Sequence, residues 1–208
     1  MTPQPSILII GPTGTGKTPL GEYLESQSSP EQAWHHFDFG ENLRIAHKSG
    51  KEAFPALTDA ELIYIHKVLN EGALLDDEHF SIAEKILSGF ISKVPESAKR
   101  VLVLNGLPRH TGQAERIMPF ADIRLVIHLC CTPETVVSRI QQNSGGDRTK
   151  RADDSLELIK KKLKVFREQT APLINYYAEK GIKIADIDVN SETQPEIIFS
   201  RIQSELPF

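Results

Sequence analysis

A glycine-rich turn, Gly11-Pro-Thr-Gly-Thr-Gly16-Lys17-Thr18, lies between the apolar run 6–10 and a helical pattern containing Leu20 and Leu24. It fits G-x-x-x-x-G-K-[ST] in full, with a strand signal before it and a helix signal after it. Such a turn commits the chain to a strand–loop–helix start. Its glycines let successive backbone N–H groups turn inward around phosphate oxygens, and the helix N-terminus adds its positive dipole end. Gly11, Gly14, Thr15 and Gly16 form the cradle, Lys17 neutralises β and γ oxygens, and the Thr18 hydroxyl suits Mg²⁺. The stretch predicts a nucleoside triphosphate site. Alone it suits a motor ATPase, a tRNA-modifying transferase or a small kinase equally.

Four more apolar runs follow, at 34–37, 101–105, 125–130 and 182–187. Continuous apolar runs suit strands covered on both faces, and their alternation with helical patterns implies right-handed crossovers and a parallel sheet. The prediction is a three-layer α/β domain with a five-stranded parallel sheet, and 208 residues suit one such domain. No acidic pair ends a later strand, and the length is short for a motor module. A net charge of −4 excludes a general attraction to nucleic acid or to an anionic membrane. Phosphate must be met by local arginines and backbone.

The opening residues MTPQPSILII carry no basic region, so no signal peptide is expected. No apolar stretch approaches the roughly 20 residues that span a bilayer. Cys130 and Cys131 are adjacent in an apolar run, poor spacing for a zinc site. They predict buried, reduced thiols in a cytoplasmic protein. Nothing reads as an exposed interface helix, so a monomer is expected.

Two segments interrupt the alternation. Residues 40–97 have helical patterning and no strand signal, with Leu62, Ile65, His66 and Leu69 on one face and Phe80, Ala83, Ile86, Leu87 and Phe90 on another. Residues 143–154 form a Ser-Gly-Gly loop bearing three basic residues. A long helical pattern then runs over 155–180, with Leu156, Ile159, Leu163, Phe166, Leu173 and Tyr177 inward and Pro172 predicted to kink or split it. The run Lys160-Lys161-Lys162 reads as a solvated helix surface.

The stretch VLVLNGLPRHTGQAE, 101–115, runs from an apolar strand into Gly106, Pro108 and Arg109, with Gln113 one helical turn on. It places a guanidinium at the carboxyl edge of the sheet, where ligands bind in open α/β folds. Here the chain resembles the adenylate kinase family of nucleoside monophosphate kinases, whose pattern is close to D-G-F-P-R-x-x-x-Q-A. Gly106, Pro108, Arg109, Gln113 and Ala114 match it. Gly40-Glu41-Asn42-Leu43-Arg44 is similar to the family's G-D-x-L-R, and Leu75, Asp77 and Glu78 fall on its G-K-L-V-x-D-E turn. Arg151, Asp153 and Asp154 match R-x-D-D, and Thr170, Pro172, Leu173, Ile174, Tyr176 and Tyr177 match T-x-P-L-I-x-Y-Y. These motifs come in family order over nearly the whole chain.

The resemblance implies a core of 1–39, 98–139 and 153–208, a monophosphate-binding insertion at 40–97 and a short lid at 140–152. It implies ATP as donor and a nucleoside monophosphate as acceptor, with adenosine monophosphate leading and pyrimidine monophosphates behind. Arg44 and Arg109 would clamp the acceptor phosphate, with Leu75, Gly106 and Gln113 around its base. Arg139, Arg148 and Arg151 would close over the migrating group, Arg139 also lying against the donor adenine, and Lys162 would touch acceptor and transferred phosphate. No general base is needed, because the acceptor is already ionised.

Several positions depart from the family pattern. Asn105 stands where an Asp orients Mg²⁺-bound water, and Glu41 replaces an Asp with the same task, so both remain metal candidates through water, beside Thr18. Asn143 occupies a lid-arginine position, and Lys162 keeps a charge but loses the bidentate fork of arginine. Phe39 falls where adenine-specific members carry Thr. Pro19 replaces a Thr, removing an N–H and a hydroxyl that would meet the donor α-phosphate. Two other readings stay open. One is a kinase of a small hydroxylated metabolite with Asp38 as base or Mg²⁺ anchor; the other is a nucleotide-binding protein with weakened catalysis.

Overall fold

The computed structural model describes residues 2–71, 73, 75–95, 100–146 and 155–206. The apolar runs become β1 (Gln4–Ile10), β2 (Ala33–Asp38), β3 (Arg100–Asn105), β4 (Ala121–Cys130) and β5 (Lys183–Asp188). They form one sheet of order β2-β3-β1-β4-β5, every neighbouring pair parallel. A parallel sheet returns through helices and so buries both faces. Ile7 and Ile9 of β1 pack with Leu20, Leu24 and Trp34 on one side. Leu8 and Ile10 pack with Phe37, Leu102 and Leu104 on the other.

Two strands start two or more residues before their apolar runs. β1 opens at Gln4 because Gln4 and Pro5 pair with β4 before the pairing with β3 begins at Ser6, which leaves a proline tolerable there. β4 opens at Ala121, where buried Ala121 and Ile123 alternate with exposed Asp122 and Arg124. That half of the strand is covered on one face only, so its signal is alternation and not a continuous run.

The phosphate turn leads into α1 (Lys17–Ser26). Between β2 and β3 lie α2 (Phe39–Ala53), α3 (Asp59–Glu71) and α4 (Phe80–Lys93). α4 buries Phe80, Ala83, Ile86 and Leu87, with Phe90 half-buried beside them. In α3 the buried stripe is Ile65 and Val68, not Ile65 and His66. His66 is exposed and lies against His47, ring centroids 4.8 Å apart, because the helix meets the core one position further round.

The remaining helices are α5 (Thr111–Ile117), α6 (Pro133–Gln142), α7 (Leu156–Val165), α8 (Pro172–Glu179) and α9 (Pro195–Ile202). The helical pattern over 155–180 is split by a π-helical turn, Phe166–Thr170, closed by Ala171 N–H donating to the Phe166 carbonyl at 2.8 Å. Pro172 then opens α8 from its first turn, the helical position that tolerates proline best. Leu156, expected inward, is 55% exposed. Its helix meets Val136 and Ile140 of α6 through Ile159 and Leu163, one turn further on.

Cys130 and Cys131 are free thiols, but half-buried where burial was expected, because β4 ends at the carboxyl edge beside the edge strand β5. Among the described residues no helix is long and apolar enough to cross a membrane.

Candidate active site

The phosphate turn joins the end of β1 to α1. Gly14 and Gly16 take φ of 80° and 92°, the left-handed region that costs glycine little. A side chain at Gly14 would also meet Ile140 at 2.7 Å, and one at Gly11 would meet Thr15 Oγ1 at 2.8 Å. The Thr15 hydroxyl is buried and donates to the Pro12 carbonyl at 2.9 Å, so Thr15 offers a ligand its backbone only. Lys17 Nζ donates to the carbonyls of Gly11 and Pro12 at 2.8 and 2.7 Å, which holds the ammonium across the mouth of the turn.

The end of α1 is left open. Asp38, Thr132 and Ser155 cap α2, α6 and α7 with their side chains, whereas Gly16 gives α1 no side-chain cap and its first turn has no acidic residue. Uncapped N–H groups and the dipole make that terminus an anion site. Pro19 sits in the first turn and is buried beside Leu20.

A cleft of about 820 Å³ opens from this turn across the carboxyl edge of the sheet. That is the size of a site for a nucleotide-sized ligand. Gly11, Gly14, Gly16, Lys17 and Thr18 line one end. Arg44, Leu75, Gly106, Arg109, Gln113 and Lys162 line the rest, so most of the residues picked from the sequence face one space. Arg109 Nε donates to the Gly106 carbonyl at 3.0 Å, and its N–H donates to Gln113 Oε1 at 2.9 Å. Burial lowers the Arg109 guanidinium from its ordinary value, and the charge of Asp38 opposes this.

Gln113 is buried, and its amide also donates to the Leu75 carbonyl at 3.4 Å, tying the arginine loop to the 40–97 segment. His110 strengthens that tie, with Nε2 3.0 Å from Asp77. Lys160 and Lys161 are exposed, as helix patterning suggested, whereas Lys162 is half-buried; Lys161 and Lys162 both line the cleft. Phe39 lines the wall and packs against Phe37 at 6.3 Å.

A largely buried polar cluster, with Asn105 at its base and Thr18 and Asp38 half-buried, closes the floor between the two ends. The Thr18 hydroxyl donates to Asp38 Oδ2 at 2.6 Å, and Asn105 Nδ2 donates to the same oxygen at 2.8 Å and to Thr18 Oγ1 at 3.1 Å. Asp38 Oδ1 accepts from the Glu41 N–H at 2.9 Å. Burial pushes the Asp38 carboxyl up, but the Thr18 and Glu41 hydrogen bonds and the charges of His36 and Arg44 carry it net below its usual value. It is an ionised carboxylate on the second strand. The family's carboxylate belongs on the third, where Asn105 now stands.

Three residues lie elsewhere than the sequence placed them. Glu41 is exposed and paired with Arg44 at 2.6 Å, off the cleft lining. Arg139 is 3% exposed, its guanidinium bonded to the carbonyls of Gly14 at 3.0 Å, Thr193 at 3.1 Å and Asn190. It sits behind the phosphate turn, not over it. Asn143 caps α6 in the left-handed conformation, φ 50°, a role asparagine fills readily. Arg148, Arg151, Asp153 and Asp154 lie outside the described residues.

The family model described as "Adenylate kinase" matches residues 9–182. An adenylate kinase of Synechococcus sp. is 29% identical over 206 residues, covering 96% of this chain and 97% of that protein. A probable UMP-CMP kinase 1 of Arabidopsis thaliana is 30% identical over 200 residues, covering 95% and 85%. Adenylate kinase isoenzyme 1 of Bos taurus is 25% identical over 201 residues, covering 96% and 93%. With the phosphate turn, the Gly106–Arg109–Gln113 corner and this match over most of its length, the chain belongs to the adenylate kinase family.

Proposed function

We propose that this nucleoside monophosphate kinase moves the γ-phosphoryl group of ATP to AMP, giving two ADP. The observation that carries the reading is the single cleft with an open phosphate-binding helix end at one side and Arg44, Arg109 and Gln113 at the other. Phosphoryl transfer through a loose transition state needs alignment, dryness and positive charge on the equatorial oxygens, with little covalent chemistry from the protein. Lys17 and the backbone N–H groups of residues 14–18 hold the donor's phosphates. Arg109 and Arg44 hold the acceptor phosphate, and Lys161 and Lys162 add charge from α7. Arg148 and Arg151 remain the proposed closing arginines. Arg139 is reassigned here to bracing the phosphate turn from behind.

The donor set at Thr18 fits Mg²⁺: a hydroxyl at the motif's final position beside an ionised, half-buried carboxylate and a buried amide. Bound there, Mg²⁺ would neutralise charge on the β and γ oxygens. We assign Asp38 the task of orienting the metal that was expected of Glu41 and Asn105. Support comes from the shared oxygen between Thr18 and Asn105 and from the pairing of Glu41 with Arg44.

The metabolite-kinase reading would make Asp38 a general base. A base works best with a pKa near the working pH, whereas hydrogen bonds hold Asp38 below its usual value, and both its oxygens already accept bonds. A coupled assay for ADP with Mg-ATP and AMP, UMP, CMP and GMP tests the acceptor. AMP should give the highest kcat/KM. Preference for UMP or CMP would assign Phe39 and Gln113 to a pyrimidine pocket, and turnover only with hydroxyl acceptors would overturn the reading.

A further inference from the structure

A second cluster of ligand side chains lies outside the cleft lining, on the carboxyl halves of β4 and β5. His128 and Cys130 are two apart on β4 and so project from the same face. Asp186 is the register partner of His128, and Asp188 is the partner of Cys130. His128 Nδ1 stands 2.7 Å from Asp186 Oδ1 and 3.3 Å from Cys130 Sγ, and that sulphur stands 3.9 Å from Asp186 Oδ1. The three ligand atoms lie within 4.8 Å of one another, and among the described residues no other group of three or more His, Cys, Asp or Glu is so placed.

We propose that His128, Cys130 and Asp186 bind a Zn²⁺-class divalent cation that pins β4 to β5 behind the phosphate turn. Zinc bonds of about 2.0–2.3 Å at tetrahedral angles set its ligand atoms roughly 3.3–3.6 Å apart. The observed triangle of 2.7, 3.3 and 3.9 Å brackets those separations, so rotamer adjustments of the three side chains seat the ion without moving the strands. All three side chains stand on ladder-bonded strands and not on a loop, so the site is largely preformed. Asp186 is 66% exposed and His128 18%, which leaves a path from solvent and a coordination position for water. Thiolate with imidazole selects Zn²⁺ or Co²⁺ over Mg²⁺ and Ca²⁺, which take oxygen ligands. On binding, the Cys130 sulphur gives its proton to solvent, and the proton that His128 Nδ1 shares with Asp186 leaves that nitrogen, so that the neutral ring carries its one proton on Nε2. No oxidation is involved.

The place of the cluster gives it a consequence. His128 pairs with Ile10, the residue before Gly11, and a side chain at Gly11 would meet Leu129 at 3.0 Å. An ion across 128, 130 and 186 therefore stiffens the strand on which the phosphate turn rests.

The test is a Co²⁺ titration of the full chain, reduced and stripped of metal, without nucleotide. One equivalent should raise a sulphur-to-cobalt charge-transfer band that Zn²⁺ abolishes. Cys130→Ser should lose the band while Cys131→Ser keeps it. Asp186→Asn, at an exposed position that leaves the fold intact, should weaken binding at least tenfold. Absence of the band at stoichiometric Co²⁺, its survival in Cys130→Ser, its loss in Cys131→Ser or unchanged affinity in Asp186→Asn would each overturn the proposal.

Discussion

The Thr18 hydroxyl donates a 2.6 Å hydrogen bond to Asp38, so the last residue of the phosphate-turn motif and the last residue of β2 meet on one carboxylate oxygen. Asn105, at the end of β3, donates to that same oxygen at 2.8 Å. The carboxylate stands on β2 here, whereas the family pattern carries one on β3, where this chain has Asn105. Asp38→Asn should lower kcat and the affinity of the ATP complex for Mn²⁺ by about 10–100-fold, the range for losing a group that orients metal ligands. Asn105→Asp added to it should restore part of both. Unchanged Mn²⁺ binding in Asp38→Asn would remove Asp38 from the metal site.

Arg109 is positioned by Gly106 and Gln113 in the wall of the cleft, where the proposed acceptor phosphate would lie. Arg109→Ala should cut kcat/KM for AMP by about 10²–10³-fold, in line with loss of one preorganised charge at the reacting group. ATP affinity measured by calorimetry should stay within about twofold of the wild type. An unchanged rate would sink the assignment.

Pro19 deprives the donor site of an N–H and of the hydroxyl a threonine would bring. A hydrogen bond to a charged group contributes about 1.5–3 kcal/mol. Pro19→Thr should therefore tighten ATP about tenfold. Equal affinities in the two proteins would retire the idea that Pro19 weakens the α-phosphate contact.

Gly21 lies in α1 directly beneath a buried ring: a methyl there would sit 2.2 Å from His36. Glycine to alanine in an exposed helix stabilises by about 1 kcal/mol. Here the overlap reverses the sign, and Gly21→Ala should destabilise by about 1–3 kcal/mol in urea denaturation. Stability equal to or above the wild type would show that the His36 ring moves aside freely.

Tyr64 and Asp76 titrate as a pair at the cleft rim. The Tyr64 hydroxyl donates to Asp76 at 2.6 Å and, against some burial and with help from His79, holds the carboxyl down at about 2. Burial and the Asp76 carboxylate push the Tyr64 hydroxyl up to about 12. A depressed carboxyl stabilises the fold above its unfolded value, and a raised phenol stabilises it below its own. The pair's contribution is therefore present from about pH 4 to about pH 10. It fades as pH falls toward about 2 or rises toward about 12. In Tyr64→Phe, the Asp76 midpoint followed by NMR should move up toward the ordinary carboxylate value; no movement would contradict the assignment.

Local signals revealed the phosphate turn, the order of strands and helices, and the Gly106–Arg109–Gln113 corner, because each is a short segment whose backbone demands particular residues. What was not legible depends on neighbours distant in sequence. Asp38 became the carboxylate of the cleft floor only through Thr18 and Asn105, which lie on other elements. Arg139 was in the right place along the chain, yet its guanidinium turned inward to the carbonyls of Gly14, Asn190 and Thr193. No pattern in α6 distinguishes an arginine that braces from one that closes. Lys161 and Lys162 look like surface on a helical wheel, and Lys161 is exposed; that both also line the cleft, because α7 runs along its edge, is not written in the helix pattern.

The central claim is phosphoryl transfer between nucleotides in the cleft beside Lys17. The most direct measurement is ADP production from Mg-ATP with and without AMP, in the wild type and in Lys17→Ala. The account predicts AMP-dependent formation of two ADP per ATP consumed, reduced by about 10²-fold or more in the variant. ADP that forms at the same rate without AMP, or a Lys17→Ala protein as active as the wild type, would contradict it.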